Sequence, residues 1–313
     1  MKLLLPDNVP LDPDVPDDVT VVTYDVDAPV PEEHLDAEAL VLWANAGPTV
    51  PAVAGRMPNL RWVQTLAAGP DAVLAAGFPE DVLITSGAGL HDAPVTEHAL
   101  TLTLTLLRRV PEILRAQEEH RWDRRLGGPQ PLRPEGAVTS LIGARVLVWG
   151  FGNIGQTLAP LLSGLGATVR GVARSAGQRS GFDVVAESDL EAELAQTDVL
   201  VMILPATPAT EKALDAKRLA ELPSHAYVVN VGRGATLDEA ALLEALESGS
   251  IAGAALDVTA IEPLPEDSPL WEAPNLVISP HAAGGRPVGG DKLIAENLAA
   301  LLDGRELRNV VER

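Results

Sequence analysis

The sequence predicts an α/β protein of two domains, each built on a doubly wound parallel sheet. Three observations carry the prediction. A β-rich run meets a glycine triplet and then a helical pattern at residues 145–162. From 145 onward short apolar runs and helical stretches alternate regularly, as in βαβ units. Residues 1–90 hold a second set of short strands, and 313 residues are enough for two domains.

Val146, Leu147, Val148 and Trp149 run into Gly150, Gly152 and Gly155, spaced G-x-G-x-x-G, and Ile154, Leu158, Leu161 and Leu162 follow at helical spacing. That pattern is strand, tight turn and helix start. Gly150 allows the turn, and Gly152 lets the backbone approach a pyrophosphate seated on the helix N-terminus. Gly155 lets helix pack on strand. Such spacing alone is common in loops. The strand that follows, Ala167–Ala173, gives it the context of a dinucleotide-binding (Rossmann) unit. That strand ends in Arg174-Ser175, where this fold places its ribose-reading residue, about 20 residues after the glycines.

An acid at position 174 would accept from a ribose 2′-OH and repel a 2′-phosphate. Arginine does the reverse, because its planar fork suits phosphate. Arg174 therefore favours NADP, with Ser175 and Arg179 as further donors. The other reading is a surface arginine in an NAD site that lacks the acid, so NAD stays open.

Residues 1–90 give strands near Lys2–Leu5, Val19–Thr23, Leu40–Trp43, Trp62–Thr65 and Val82–Thr85. Pro31–Asp36 and Asp71–Ala76 read as helices or turns between them. After the fourth strand, Leu66-Ala67-Ala68-Gly69 forms a small-residue loop whose N–H groups suit an anion, or simply turn the chain into a helix. Across 92–109, Leu100, Leu102, Leu104 and Leu106 alternate with threonine, a strand period. The length and the start signals Asp92, Pro94 and Glu97 favour a helix crossing between domains. His98 on that helix reads as structural, and His91 before it as a loop residue that could also face substrate. Residues 120–140 read as an arm or linker. Strands are expected near 145–149, 168–173, 198–203, 226–231, 251–256 and 275–278. An amphipathic helix at Asp291–Asp303 closes the pattern, with Gly304 as its stop.

Composition narrows the function. Hydrophobic residues make up 46% of the chain, there is no cysteine, and the net charge is −21. The charge argues against nucleic acid or an anionic membrane as partner. The absence of cysteine excludes disulfide frameworks, and the six histidines (34, 91, 98, 120, 225, 281) show no H-x-x-x-H pairing, so no metal site is expected. The N-terminal stretch is too soon acidic for a signal peptide and no 18-residue apolar run exists, so a cytoplasmic protein is expected. An anionic substrate would need a local positive group to meet it.

Three strand ends in the second half each deliver one polar group. Arg233 follows Val228–Val231 between Gly232 and Gly234, Glu262 follows Leu256-Asp257-Val258, and His281 follows Leu276–Pro280. In a doubly wound sheet the carboxyl ends of strands meet at the ligand crevice, so an arginine, a carboxylate and a histidine are expected to converge there.

These motifs, in this order, resemble the D-isomer-specific 2-hydroxyacid dehydrogenase family, which includes glyoxylate/hydroxypyruvate reductases and 3-phosphoglycerate dehydrogenases. The resemblance runs from Ala67-Ala68-Gly69 through Pro94–Leu100, Gly150–Gly155, Leu204–Thr210, Asn230–Gly234 and Leu256-Asp257-Val258 to Glu262-Pro263-Leu264 and Ser279-Pro280-His281. It implies a flavodoxin-like substrate domain (1–96 and 285–313) and a Rossmann cofactor domain (97–284) inserted into it, with the active site in the cleft. It also implies a homodimer, with the 120–140 arm in the contact.

The implied reaction passes a hydride between a nicotinamide and a small 2-keto or 2-hydroxy acid. In the reducing direction His281 protonates the developing alkoxide, since imidazole exchanges protons at neutral pH. Glu262 on the other ring nitrogen would favour the protonated ring and orient it. Arg233 holds the substrate carboxylate and polarises the keto oxygen, while amides around Ala68 and Gly69 take the other carboxylate oxygen. By the same resemblance Asp257 contacts the nicotinamide amide and Thr207 lines the cofactor groove, with Asn153, Ile154, Val231, Gly232 and Ala283 as further contacts.

Glu262 argues against a formate dehydrogenase, which pairs its histidine with glutamine. Arg174 in place of the acid, and no regulatory domain expected after 313, weaken the reading as a phosphoglycerate dehydrogenase-like NAD enzyme, which stays open as the alternative. A dinucleotide-sensing binding protein on the same fold is the rival from another class. Side-chain specificity is expected from loops near 43–48, 66–70, 91 and 286–288, with Trp43, Leu66 and Trp271 as candidate apolar lining.

Overall fold

The computed structural model describes residues 1–45, 49–134 and 136–313. Residues 46–48 of the expected specificity loop and Glu135 of the expected linker lie outside the described residues. The chain forms two compact units, Met1–His91 with Arg286–Arg313, and Asp92–Gly285. The first division falls earlier than residue 96 because Asp92–Leu107 is one unbroken helix. No helix among the described residues is long and apolar enough to cross a membrane.

The first unit holds β1 (Lys2–Pro6), β2 (Thr20–Tyr24), β3 (Ala39–Leu42), α1 (Thr49–Ala54), β4 (Trp62–Thr65), α2 (Asp71–Ala75), β5 (Leu83–Thr85) and a closing helix, Gly290–Leu302. Its strands are parallel in the order β2-β1-β3-β4-β5. The strands are apolar on both faces because both are covered. Leu4, Leu40 and Val63 point to one core with Val53, Val73 and Phe78. Leu3, Leu5, Val41 and Trp62 point to the other, under Leu293, Ile294, Leu298 and Leu301 of the closing helix.

A buried polar ladder fixes that helix. The Asn297 amide donates to Gln64 Oε1 at 2.9 Å, Thr85 Oγ1 donates to the same oxygen at 2.8 Å, and Trp62 Nε1 donates to Thr85 Oγ1 at 2.8 Å. Gln64, Thr85 and Asn297 are fully buried, so each needs these partners.

The second unit holds α3 (Asp92–Leu107), α4 (Val110–Glu118), α5 (Arg124–Gly127), β6 (Arg145–Trp149), α6 (Asn153–Gly164), β7 (Thr168–Ala173), β8 (Gly177–Arg179), β9 (Phe182–Ala186), α7 (Leu190–Leu194), β10 (Val199–Met202), α8 (Ala216–Ala220), β11 (Tyr227–Asn230), α9 (Glu239–Ser248), β12 (Gly253–Leu256) and β13 (Leu276–Ile278). The sheet order is β13-β12-β11-β10-β6-β7-β9-β8. Chain order reverses between β6 and β10, the switch point at which such sheets bind dinucleotides. Val146, Val148, Val199 and Val201 face α3 and α6, while Leu147, Trp149, Leu200 and Met202 face α7–α9.

The Leu/Thr alternation of α3 is a helix. Val95, Ala99, Leu102 and Leu106 share its buried face at helical spacing. Thr101 and Thr103 hydroxyls donate to the carbonyls four residues back, which removes their pull toward extended structure. Two features depart from the sequence reading. Helix α4 occupies the stretch between the crossing helix and the arm. A strand pair, β8 and β9, fills residues that show no strand rhythm, and it is the sheet's one antiparallel ladder among the described residues. Gly177–Arg179 has no apolar side chain because it is an edge strand, so no alternation signals it.

Candidate active site

The glycine loop links β6 to α6. Gly150 has φ +100°, and a Cβ there would stand 2.5 Å from the Ile203 carbonyl at the end of β10. The position therefore demands glycine on both counts. Gly152 caps α6 without any side-chain bond to the helix amides, and Asn153, Ile154 and Gly155 form the first turn. An uncapped N-terminus at the switch point fits the pyrophosphate of a dinucleotide.

The ribose-reading position expected from the sequence lies at the corner where β7 ends. Arg174 and Ser175 are exposed there. The β8 strand turns Arg179 back over the corner, where its guanidinium donates to the Phe151 carbonyl at 3.0 Å and to Ser175 Oγ at 3.2 Å. Ser180 Oγ ties the same hairpin to Gln156 Oε1 of α6 at 2.8 Å. Thr207 sits in the exposed loop after β10, with its hydroxyl 2.9 Å from Thr210 Oγ1.

Arg233 is carried by a loop wedged between two neighbours. The buried Asn230 accepts from the Gly232 amide at 3.0 Å and donates to the Arg233 carbonyl at 3.2 Å. A Cβ on Gly234 would collide with the backbone of Thr259 and Ala260, so glycine is what lets this loop touch the segment after β12. The segment it touches carries Glu262.

Glu262 divides its carboxylate between two donors. Oε1 accepts from the Thr259 amide at 3.1 Å, and Oε2 lies 2.7 Å from His281 Nδ1. A carboxylate only accepts, so Nδ1 carries hydrogen and Nε2 is left as the nitrogen that gains or releases a proton. His281 has φ +51°, an uncommon conformation for a non-glycine residue. The turn that holds it is built on Asp257, which is 1% exposed. The Asp257 carbonyl accepts from the His281 amide at 2.8 Å. Its carboxylate accepts from Ser279 Oγ at 2.6 Å and from the amides of Ala282 and Ala283 at 2.8 and 3.1 Å. Asp257, expected as a cofactor contact, is the residue on which the turn is assembled, and Ala283, also expected as a contact, is tied to it through its amide.

In the first unit, the Leu66–Gly69 loop follows β4. The amides of Ala68 and Gly69 have no hydrogen-bond partner among the described residues. His91 is buried, stacks on Trp43 at 5.3 Å and donates from Nε2 to the Leu66 carbonyl at 2.7 Å. It thereby braces the loop, a role sequence reasoning left open. Of the candidate lining residues, Leu66 is buried, while Trp271 is half exposed and donates from Nε1 to the Pro265 carbonyl. No cluster of three or more metal-ligating side chains occurs among the described residues.

Comparisons with known proteins bear on the same geometry. A family model, D-isomer specific 2-hydroxyacid dehydrogenase, NAD binding domain, matches residues 100–283. The glyoxylate/hydroxypyruvate reductase A of Salmonella paratyphi B is 33% identical over 88% of this chain and 86% of its own length. A D-isomer-specific 2-hydroxyacid dehydrogenase family protein from Aeromonas salmonicida superposes with TM-score 0.83 at 29% identity, covering 99% of this chain and 98% of its own. An NADPH-dependent glyoxylate/hydroxypyruvate reductase from Sinorhizobium meliloti, solved with NADP and sulfate, superposes with TM-score 0.80 at 26% identity, covering 99% and 98%. This chain belongs to the D-isomer-specific 2-hydroxyacid dehydrogenase family, nicotinamide-dependent oxidoreductases that take a hydride from a 2-hydroxy acid or return it to the 2-keto acid.

Proposed function

We propose that the protein is a cytoplasmic homodimer that reduces glyoxylate, hydroxypyruvate or a close 2-keto acid, using NADPH in preference to NADH. The observation that carries the catalytic part is the 2.7 Å pairing of Glu262 with His281 Nδ1, which leaves Nε2 to deliver a proton. The cofactor part rests on Arg174, Ser175 and Arg179 at the end of β7. The solved relative from Sinorhizobium meliloti, named as NADPH-dependent, supports that reading.

The glycine loop, Asn153 and Ile154 hold the pyrophosphate, and Thr207, Val231, Gly232, Asp257 and Ala283 hold the remainder of the cofactor. When bound, the reduced nicotinamide supplies the hydride to the keto carbon. Arg233 binds the substrate carboxylate and draws charge toward the keto oxygen. His281 passes its Nε2 proton to that oxygen, and Glu262 keeps the ring oriented throughout. In balance, a 2-keto acid, NADPH and one proton become a 2-hydroxy acid and NADP. In the first unit, the amides of Ala68 and Gly69 are the proposed donors to a carboxylate oxygen.

The homodimer rests on the arm between α4 and β6. Trp122 is 91% exposed, and Leu132 on the same arm and Leu114 on α4 are exposed too, large apolar side chains that a second copy would cover. Light scattering of the purified protein tests it directly, and a monomer at micromolar concentration overturns it.

Initial rates at pH 7 with glyoxylate and hydroxypyruvate, each with NADPH and NADH, test the activity. Arg174→Asp tests the cofactor reading. Strong NADPH preference that fades in the variant supports both parts. Better use of NADH by the unaltered protein overturns the cofactor reading alone. Tight NADPH binding without turnover of any small 2-keto acid overturns the reductase and favours a dinucleotide-sensing role.

A further inference from the structure

We propose that His98, on α3, is a positioning residue for the acid–base turn and acts through Ser279 and Asp257. The inference rests on the reductase reading for its kinetic consequence, though not for its structural one. His98 Nε2 lies 2.9 Å from Ser279 Oγ and 3.1 Å from Asp257 Oδ1. Ser279 has a single hydroxyl hydrogen and gives it to Asp257 Oδ1 at 2.6 Å. Its oxygen must therefore accept, which makes His98 Nε2–H the donor.

The arrangement solves a specific problem. Asp257 is a buried carboxylate, and a buried charge requires a full set of donors. Two come from the amides of Ala282 and Ala283, and the third is the Ser279 hydroxyl. Those three donors bracket His281 in sequence, and its left-handed backbone conformation exists only while they hold the turn closed. The Ser279 hydroxyl can rotate. His98 removes that freedom by occupying the hydroxyl's acceptor side, with its Nε2 also 3.1 Å from Asp257 Oδ1.

The anchor is also rigid. Ala99 and Val95, on either side of His98, are packed into the apolar core between α3 and the sheet. His98 is 181 residues from Ser279 in the chain, so the contact ties the turn to a separate element. With the turn fixed, His281 Nε2 keeps one direction relative to Glu262. Misplacement of a catalytic group by about 1 Å can cost on the order of 10² in rate.

The test uses the full-length protein and three variants, His98→Ala, His98→Gln and Ser279→Ala. Glutamine keeps a side-chain N–H donor at about the reach of Nε2. Amide hydrogen exchange, followed residue by residue, should speed up about tenfold at His281, Ala282 and Ala283 in His98→Ala and Ser279→Ala. It should stay unchanged in His98→Gln, with Val146–Val148 unchanged in all three. With NADPH and glyoxylate, kcat should fall about tenfold in the alanine variants, and glutamine should restore it to within about twofold. The Kd for NADPH and the KM for the keto acid should hold within about twofold.

Unchanged exchange at 281–283 in His98→Ala overturns the proposal. So does failure of glutamine to rescue, faster exchange spread into Val146–Val148, or a rise in KM and Kd with kcat intact. If the unaltered protein reduces no 2-keto acid, the reductase reading fails, and the exchange pattern still decides the role of His98.

Discussion

The two functional corners of the second unit's sheet are built in opposite ways. At the ends of β12 and β13, Asp257 and Glu262 spend their carboxylates on donors inside the protein, and His281 is pinned by both. At the end of β7, Arg174 stands exposed, and only Arg179 is tied back to Ser175 and Phe151. Under the proposed function, the first corner must be ready before substrate arrives, because a proton donor that has to reorganise loses its advantage at the moment of reaction. Under the same proposal the second has only to recognise an anion, and a charged ligand completes it on binding. Mutations should therefore register in kcat at the first corner and in cofactor affinity at the second.

The largest effect tests the prepared corner. His281→Ala should lower kcat by about 10²–10⁴, the range of positioned acid–base catalysis, with NADPH affinity nearly unchanged. Glu262→Gln should fall between His281→Ala and the unaltered enzyme, since an amide can still hold the ring without its charge. Steady-state rates with parallel cofactor titrations check both. If His281→Ala chiefly weakened NADPH binding, the contrast between the corners would collapse.

The same contrast of held and open groups has a counterpart in stability. Tyr24 is buried in the first unit. Its hydroxyl donates to the Val41 carbonyl at 2.9 Å and accepts from the Asn45 amide at 2.9 Å. Burial, with a smaller push from Asp7 and a partial offset from Asn45, raises the phenol to about 12. A folded-state pKa above the unfolded value of about 10 means that the neutral phenol's contribution is complete below pH 10 and is lost as pH rises to 12. The shift corresponds to about 3 kcal/mol. Chemical denaturation between pH 9 and 12 should show that decline, and Tyr24→Phe should remove most of the slope. An equal slope in the variant would place the alkaline sensitivity elsewhere.

Much of this was legible in the sequence, for identifiable reasons. The alternation of strand and helix, the glycine triplet and the order of Arg233, Glu262 and His281 are local signals. Strand β8 was not legible, because a three-residue edge strand of Gly, Gln and Arg buries nothing that would leave a period. The reason for Gly234 was hidden too: its missing Cβ matters only because Thr259 and Ala260 pack against it. His98 and His91 read as bland for the same cause. Each acts through a partner distant in the chain, Ser279 and Leu66 respectively, and no spacing rule spans such a separation.

The smallest effects test the open corner. Arg174→Ala should raise the Kd for NADPH about tenfold, the worth of a charge-assisted contact at an exposed site, and leave NADH within about twofold. Arg179→Ala should cost less, about threefold, because that guanidinium already serves the Phe151 carbonyl and Ser175 hydroxyl. Ionic strength separates the local contact from the protein's overall field. The net charge of −21 repels NADPH more than NADH, and that repulsion is nearly the same in Arg174→Ala, which differs by a single charge. The gap between the unaltered protein and the variant therefore isolates the arginine. Raising salt from 0.05 to 0.5 M should shrink that gap about threefold, since an exposed pair is screened over a few ångströms at high salt. The kcat of the saturated enzyme should hold across the same range, because His281 and Glu262 already pair within the folded unit. A gap insensitive to salt would mean that the phosphate is enclosed on binding, and that the second corner is as prepared as the first.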